Sequence, residues 1–455
     1  MIRVYFDSDV INNIHSGNFP ELAKFIEDNR DRLLIPYSQA HVSDKISSKE
    51  DNEDLFWKDI DYLTEFTQKK LITYDAKKKY SVPCIATARD VLEDILDTYK
   101  TIEEFSNIDN IISFMEETAN DLDVPAMGEM FKGLFDLPPI EGLPESMQAG
   151  TYKEQLQKAA DYMSSIRNDP EAYKKNTNLV KDEFGLPTHS GQWVEGVIDK
   201  VDVHIKEQGQ FEDFTSMVNK DFEDKDNVGS YNIYIQSYLT LNMIGFKSDE
   251  INVKRNKGMP NHMQDAMHSF YGGHCDYFVA MDKKLIAKTK ALYEKFKVST
   301  KIFHPSIIVE ELAKKLEQYD LAQTVKETIG KPPVGTLEED GIIKGVFRIE
   351  QFWLNYFTHL QQEVDPQTGR NTLLFTKMYS TYSNFMFYEE HDNLISSVHD
   401  LFGAESEKEK VIERFKLAAT DERFVEYFLD SCYVKLTTTG SQFYLWIALP
   451  APTQV

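Results

Sequence analysis

The chain has 455 residues, 41% hydrophobic and 27% charged, a globular composition too long for one core, so two or three domains are expected. A net charge of −25 argues against broad affinity for nucleic acid duplexes, yet it leaves room for a nuclease whose acidic site is neutralised by metal ions. There is no apolar run near the roughly 20 residues of a membrane span and no secretory hydrophobic segment at the start; the three scattered cysteines suggest a reducing cytoplasm.

Ile2-Arg-Val-Tyr-Phe6 reads as a strand ending at Asp7-Ser-Asp9-Val-Ile11, with a loop leading to a helix around Phe19–Asn29. Leu33–Tyr37 is a second short strand. Ser38 then caps a helix that carries Asp44 one to two turns in. Strand–helix–strand–helix order implies a parallel sheet. From Lys45 to Lys225 the pattern is helical and acidic, and we read 47–231 as an all-α insertion. Asn232–Phe246 is an aromatic helix. A basic loop with Lys254, Arg255 and Lys257 follows it.

Residues 262–271 read as a helix bearing Asp265 and His268 on one face. Gly272-Gly273 stops it, through glycine's access to left-handed backbone. Tyr277–Met281 is a buried strand, and Asp282 stands at its carboxyl end, where open α/β sheets place ligands. A helix starting at Lys283 and Lys284, a strand at Thr300–Phe303 and a helix from Ile307 complete this part. Gly330–Gly335 is a linker. Residues 336–455 form a separate α+β domain with an aromatic helix at Gly345–Gln362, helical segments in 404–430 and a hairpin at Val434–Leu449.

Asp7, Asp44, Asp265 and Asp282 follow short strands or stand early on helices, at both ends of the chain, and a parallel sheet can bring them together. Four converging carboxylates cannot all stay ionised without cations. Hard, oxygen-preferring Mg²⁺ or Mn²⁺ are the natural guests, with Asp9 as a further candidate ligand. The histidines and Cys275 near this stretch match no zinc spacing.

Val4-Tyr-Phe-Asp7-Ser-Asp9-Val10, Ser38 with Asp44, Asp265-Ala-Met-His268 and Val279-Ala-Met-Asp282 resemble, in order, the motifs of the PIN-domain nucleases. The chain departs from the pattern in Asp44 for the usual Glu, Ala280 for Thr, and the long insertion. The resemblance implies a three-layer α/β/α PIN-like domain with a central parallel sheet, built from 1–46 plus 232–325. It implies a metal-dependent endoribonuclease in which Asp7, Asp44, Asp265 and Asp282 are catalytic and hold Mg²⁺ or Mn²⁺. The substrate is single-stranded or structured RNA, contacted by Ser38, Lys254, Arg255, Lys257, His268, Lys283 and Lys284. A toxin or antiviral effector role is compatible with the family. Two other classes stand beside this one. One is a non-catalytic acidic interaction or regulatory protein on a nuclease-like fold, meeting a basic partner or itself. The other is a haloacid-dehalogenase-like phosphatase, since Asp7-Ser-Asp9-Val-Ile11 is similar to that family's nucleophile loop.

Overall fold

The computed structural model describes residues 1–46, 52–104 apart from 76, 196–218 apart from 210, 230–247 and 259–449 apart from short gaps at 340–341, 366, 368, 379–384, 404–406, 418–422 and 440–441, plus isolated positions within 153–178. The basic residues Lys254, Arg255 and Lys257 lie outside the described residues, as does most of the expected insertion.

The architecture is mixed α/β. Strands β1 (Ile2–Phe6) and β2 (Leu33–Leu34) pair in parallel with β5 (Tyr277–Val279) and β6 (Lys301–Phe303) in the order β2-β1-β5-β6. All five residues of β1 are buried, as a central strand covered on both faces requires. Alternation splits them: Ile2, Val4 and Phe6 enter one core, while Tyr5 enters the other. Arg3, Tyr5 and Asp7 therefore form the odd row of the strand, and this row carries the polar chemistry described below.

Helix α1 (Ser8–His15) starts directly after Asp7, where a loop was expected. Its short apolar set, Val10, Ile11 and Ile14, recurs at helical spacing and is buried. Next come α2 (Pro20–Asp28) and α3 (Gln39–Ile46). The first strip of the expected all-α insertion is not all helical. After α4 (Glu53–Phe66) an antiparallel hairpin, β3 (Lys70–Asp75) and β4 (Tyr80–Ile85), precedes α5 (Ala88–Glu104). Lys-Leu-Ile-Thr-Tyr and Tyr-Ser-Val-Pro-Cys-Ile are β-branched and aromatic, and Lys79 takes a positive φ at the turn between them. Phe56, Ile60, Leu63, Leu71 and Leu92 share one core with β1, so this segment packs against the sheet.

Helices α6 (Val197–Gln208), α7 (Phe214–Val218), α8 (Ser230–Met243) and α9 (Met259–Gly272) supply much of the second core, with α10 (Lys283–Lys295). Gly272 does not end α9 by a left-handed turn, because its φ is not positive. A Cβ there would meet Phe278 Cγ at 2.8 Å, so glycine permits the close seat of α9 on β5.

After α11 (Ile308–Leu316) and α12 (Leu321–Ile329), a seven-stranded antiparallel sheet dominates. It comprises β7 (Gly335–Glu339), β8 (Ile342–Trp353), β9 (Phe357–Val364), β10 (Asn371–Thr376), β11 (Arg423–Leu429), β12 (Cys432–Thr439) and β13 (Gln442–Leu449), in the order β11-β12-β13-β10-β9-β8-β7. Helices α13 (Tyr388–Phe402) and α14 (Lys408–Leu417) pack on its inner face. The aromatic helix expected at 345–362 is instead the β8–β9 hairpin. Phe347 and Ile349 point in and Arg348 and Glu350 point out, a period of two. Leu354 and Asn355 both have positive φ (55° and 53°), which suits the tight turn of a hairpin. Part of the 404–430 stretch, expected to be helical, is strand β11.

Candidate acidic active site

Asp7 follows β1 in extended conformation at the N-cap position of α1, and its amide donates to Val279 O at 2.9 Å. This ties the ends of β1 and β5 together. Ser38 is the N-cap of α3, with its Oγ accepting from Ala40 N at 3.3 Å, and Asp44 stands near the end of that helix. From the other side α9 packs over the Tyr5 face of β1 and delivers His268. The expected partners Asp7, Asp44 and His268 thus meet at the carboxyl end of the central strand.

His268 is the hub. Its Nε2 lies 2.7 Å from Asp44 Oδ2, 3.0 Å from Ser8 Oγ and 3.8 Å from Asp7 Oδ1, and its Nδ1 lies 2.9 Å from Tyr5 Oη. Burial alone would lower its pKa. Asp44 first, then Asp7 and Asp265, outweigh burial and bring it up to about 9, so the ring is an imidazolium at neutral pH. With both nitrogens protonated, Nε2–H donates to Asp44 and Nδ1–H to the Tyr5 oxygen. The Tyr5 hydroxyl in turn is 2.7 Å from Ser38 Oγ. His41 is held neutral by burial; it donates from Nε2 to Phe6 O at 2.7 Å and accepts from Ser38 N at 3.1 Å.

Asp7 is buried, 6% exposed, and burial pushes its pKa up to about 7. His268 opposes this rise, while Asp44 and Asp9 add to it. The imidazolium is spent chiefly on Asp44, at 2.7 Å against 3.8 Å for Asp7. Asp7 is left as the half-protonated member of the group.

The other expected site residues are placed differently. Asp265 is half-buried on α9 and acts on His268 through its charge. Asp282 is exposed and caps α10, its Oδ1 accepting from Lys284 N and Leu285 N. Asp9 is exposed in the first turn of α1. Lys283 is exposed at the start of α10, beside the half-buried Lys284. Ser38, expected to touch substrate, is fully buried and serves Tyr5 and the helix cap instead. Among the described residues, no group of three or more His, Cys, Asp or Glu side chains is arranged to hold a metal ion.

Sequence reasoning missed Tyr5, Ser8 and His41. Each had a signal: Tyr5 shares the odd row of β1 with Asp7, Ser8 is adjacent to Asp7, and His41 stands one turn before Asp44 on α3. It also missed a second ionic group at the opposite end of the same row. Arg3, 1% exposed, donates from Nε to both Glu390 oxygens at 2.9 Å and from Nη2 to Phe385 O at 2.5 Å. Lys377 Nζ lies 3.0 Å from Asp276 Oδ2, which also accepts from Arg3 N at 2.8 Å. Asp276 thereby anchors the antiparallel-sheet unit to the parallel one. The chain matches no family model, no curated protein and no solved structure.

Proposed function

We propose that the chain is a metal-dependent endoribonuclease that hydrolyses RNA phosphodiester bonds at the Asp7–Asp44–His268 centre. The observation that carries this reading is the convergence of two carboxylates on one protonated nitrogen at the carboxyl end of the central parallel strand, with Asp7 raised to about 7. The PIN-domain resemblance of the four acidic motifs and the parallel sheet that joins them support it.

The donor set fits a hard divalent cation. Asp7 and Asp44 oxygens lie 3.8 and 2.7 Å from His268 Nε2, and Asp7 needs a nearby positive charge to ionise fully; a cation held by one or two carboxylates completes its shell with water and phosphate oxygens. Asp7 and Asp44 would hold Mg²⁺ or Mn²⁺, with the charge of Asp265 acting on the same centre. When bound, such ions activate water and stabilise the leaving oxygen of a phosphodiester. The chain's own residues supply the rest. Tyr5 and Ser8 fix the plane of His268, so its Nε2 proton points at the carboxylates. Asp7, titrating near neutrality, can take up or release a proton there. Lys283 and Lys284 open α10 beside Asp282 and offer cations to the RNA backbone.

One observation favours the non-catalytic alternative. The His268 proton already neutralises Asp44, and Asp282 is spent on capping its own helix. Cleavage of labelled single-stranded RNA by the full chain separates the two. The nuclease reading expects cleavage with Mn²⁺, none with EDTA, and a loss of roughly a hundredfold or more in Asp7→Asn and Asp44→Asn. Wild-type protein that leaves RNA intact with Mn²⁺, or an Asp7→Asn variant that cleaves normally, overturns it.

A further inference from the structure

The seven-stranded sheet has two unlike faces. The inner one is closed by α13 and α14 over Trp353, Phe357, Phe375 and Leu445. These include the aromatics of the β8–β9 stretch, which are core and not a ligand platform. On the outer side of β10, β13, β12 and β11 lies an open cleft of about 570 Å³, lined by Phe424, Tyr433, Trp446, Lys435, Arg370 and Thr437 among others.

Strand alternation makes this surface. Val425, Val434, Leu436, Leu445 and Ile447 point into the core, so Phe424, Tyr433, Lys435, Thr437 and Trp446 point out. Register then sets them side by side: Lys435 pairs with Trp446, and Thr437 pairs with Phe424. The Lys435 ammonium lies 4.5 Å from the centroid of the Phe424 ring. Phe428, 80% exposed, extends the surface, with its ring centroid 5.2 Å from that of Tyr433.

Aromatic residues favour strands in their own right, and here they are gathered on an outer face that, among the described residues, no other element of the sheet unit covers. Three half-buried aromatics in an open cleft, with Lys435 and Arg370 among them, match the needs of unpaired bases and phosphates. Bases stack on flat rings whatever their identity, and cations between the rings meet the backbone. Glu363 lines the cleft and Glu426 borders it, the latter 3.7 Å from Lys435, so the two cations are matched by two carboxylates and the face is electrically balanced. In a chain of net charge −25 a balanced face repels a polyanion less than the acidic surface does, and the stacking rings supply the attraction.

We infer that the outer face of β10–β13–β12–β11 is a binding platform for single-stranded RNA, with bases on Trp446, Phe424 and Tyr433 and phosphates on Lys435 and Arg370. The inference rests on the nuclease reading for the choice of RNA, and it makes this platform the part that holds substrate while the acidic centre cuts. The same sheet reaches the nuclease-like part through β8, which contacts α11.

The test is binding without cleavage. A short, labelled, single-stranded RNA of mixed sequence is titrated with the full chain in EDTA and followed by anisotropy at several salt concentrations. The wild-type chain should bind, more weakly as salt rises. Trp446→Leu should lose roughly tenfold in affinity, the value of one stacked base. Lys435→Glu, with its fold checked by circular dichroism, should weaken binding at least as much. The readout is binding in EDTA and needs no cleavage, so a failed nuclease reading leaves this result standing. Absence of binding by the folded wild-type chain overturns the inference. Binding that survives both Trp446→Leu and Lys435→Glu overturns it too, as does a cleft that takes a protein ligand and not RNA.

Discussion

Replacing Asp7 by Asn should stabilise the metal-free protein, and more so at higher pH. Asp7 titrates near 7 in the folded chain against 3.8 for an ordinary aspartate. Between those values the folded state holds a proton that the unfolded state has lost, so stability falls as pH rises through that window. Each tenfold change in proton affinity corresponds to about 1.4 kcal/mol. From about pH 5 to about pH 8 the penalty that Asp7 imposes grows by ~2.5 kcal/mol by this linkage. Asn keeps the shape and never ionises, so the advantage of Asp7→Asn over wild type should widen by that amount, on the order of 5 °C in melting temperature. The His268 imidazolium holds the Asp7 pKa down, so loss of its own proton near pH 9 would widen the gap further. Calorimetry of both proteins in EDTA at the two pH values reads the difference directly. A gap that stays constant, or that reverses sign, would show that Asp7 is not the strained carboxylate of the cluster.

Three further outcomes follow from the packing. Arg3→Met strands the buried Glu390 carboxylate and should cost about 3–5 kcal/mol in urea unfolding, while Arg3→Met with Glu390→Met should regain most of it; an additive double variant would contradict the pairing. Tyr5→Phe removes the hydroxyl shared by His268 and Ser38 and should cost about 1–2 kcal/mol. It should also move the His268 imidazole titration seen by NMR, and an unmoved titration would remove Tyr5 from the network. Gly272→Ala should cost ~1–3 kcal/mol, because the new methyl meets the Phe278 ring; wild-type stability would mean that α9 slides freely on β5.

Much of the acidic centre was legible because it obeys short-range rules. A short, fully buried strand delivers Asp7 to its carboxyl end, a serine-capped helix carries Asp44, and i, i+3 spacing joins Asp265 to His268. The roles were harder to read than the positions. That His268 would bear the proton shared by the carboxylates depends on burial, which the sequence does not state. That Asp282 would turn back to cap α10 depends on a choice between two uses of the same side chain. Arg3 and Glu390 are 387 positions apart, and no local pattern marks such a pair. The β8–β9 hairpin was misread because Phe347, Phe352, Trp353, Tyr356 and Phe357 fit a helical stripe about as well as two strands. The Leu354-Asn355 turn that decides between them carries no glycine to announce it.

Anomalous diffraction from crystals soaked in Mn²⁺ tests the central claim most directly. A Mn²⁺ peak within coordination distance of Asp7 and Asp44 is expected, with the Asp44 carboxylate drawn off His268 Nε2 by the incoming charge. Density with no peak there, and His268 Nε2 still seated against Asp44 at saturating Mn²⁺, would contradict it.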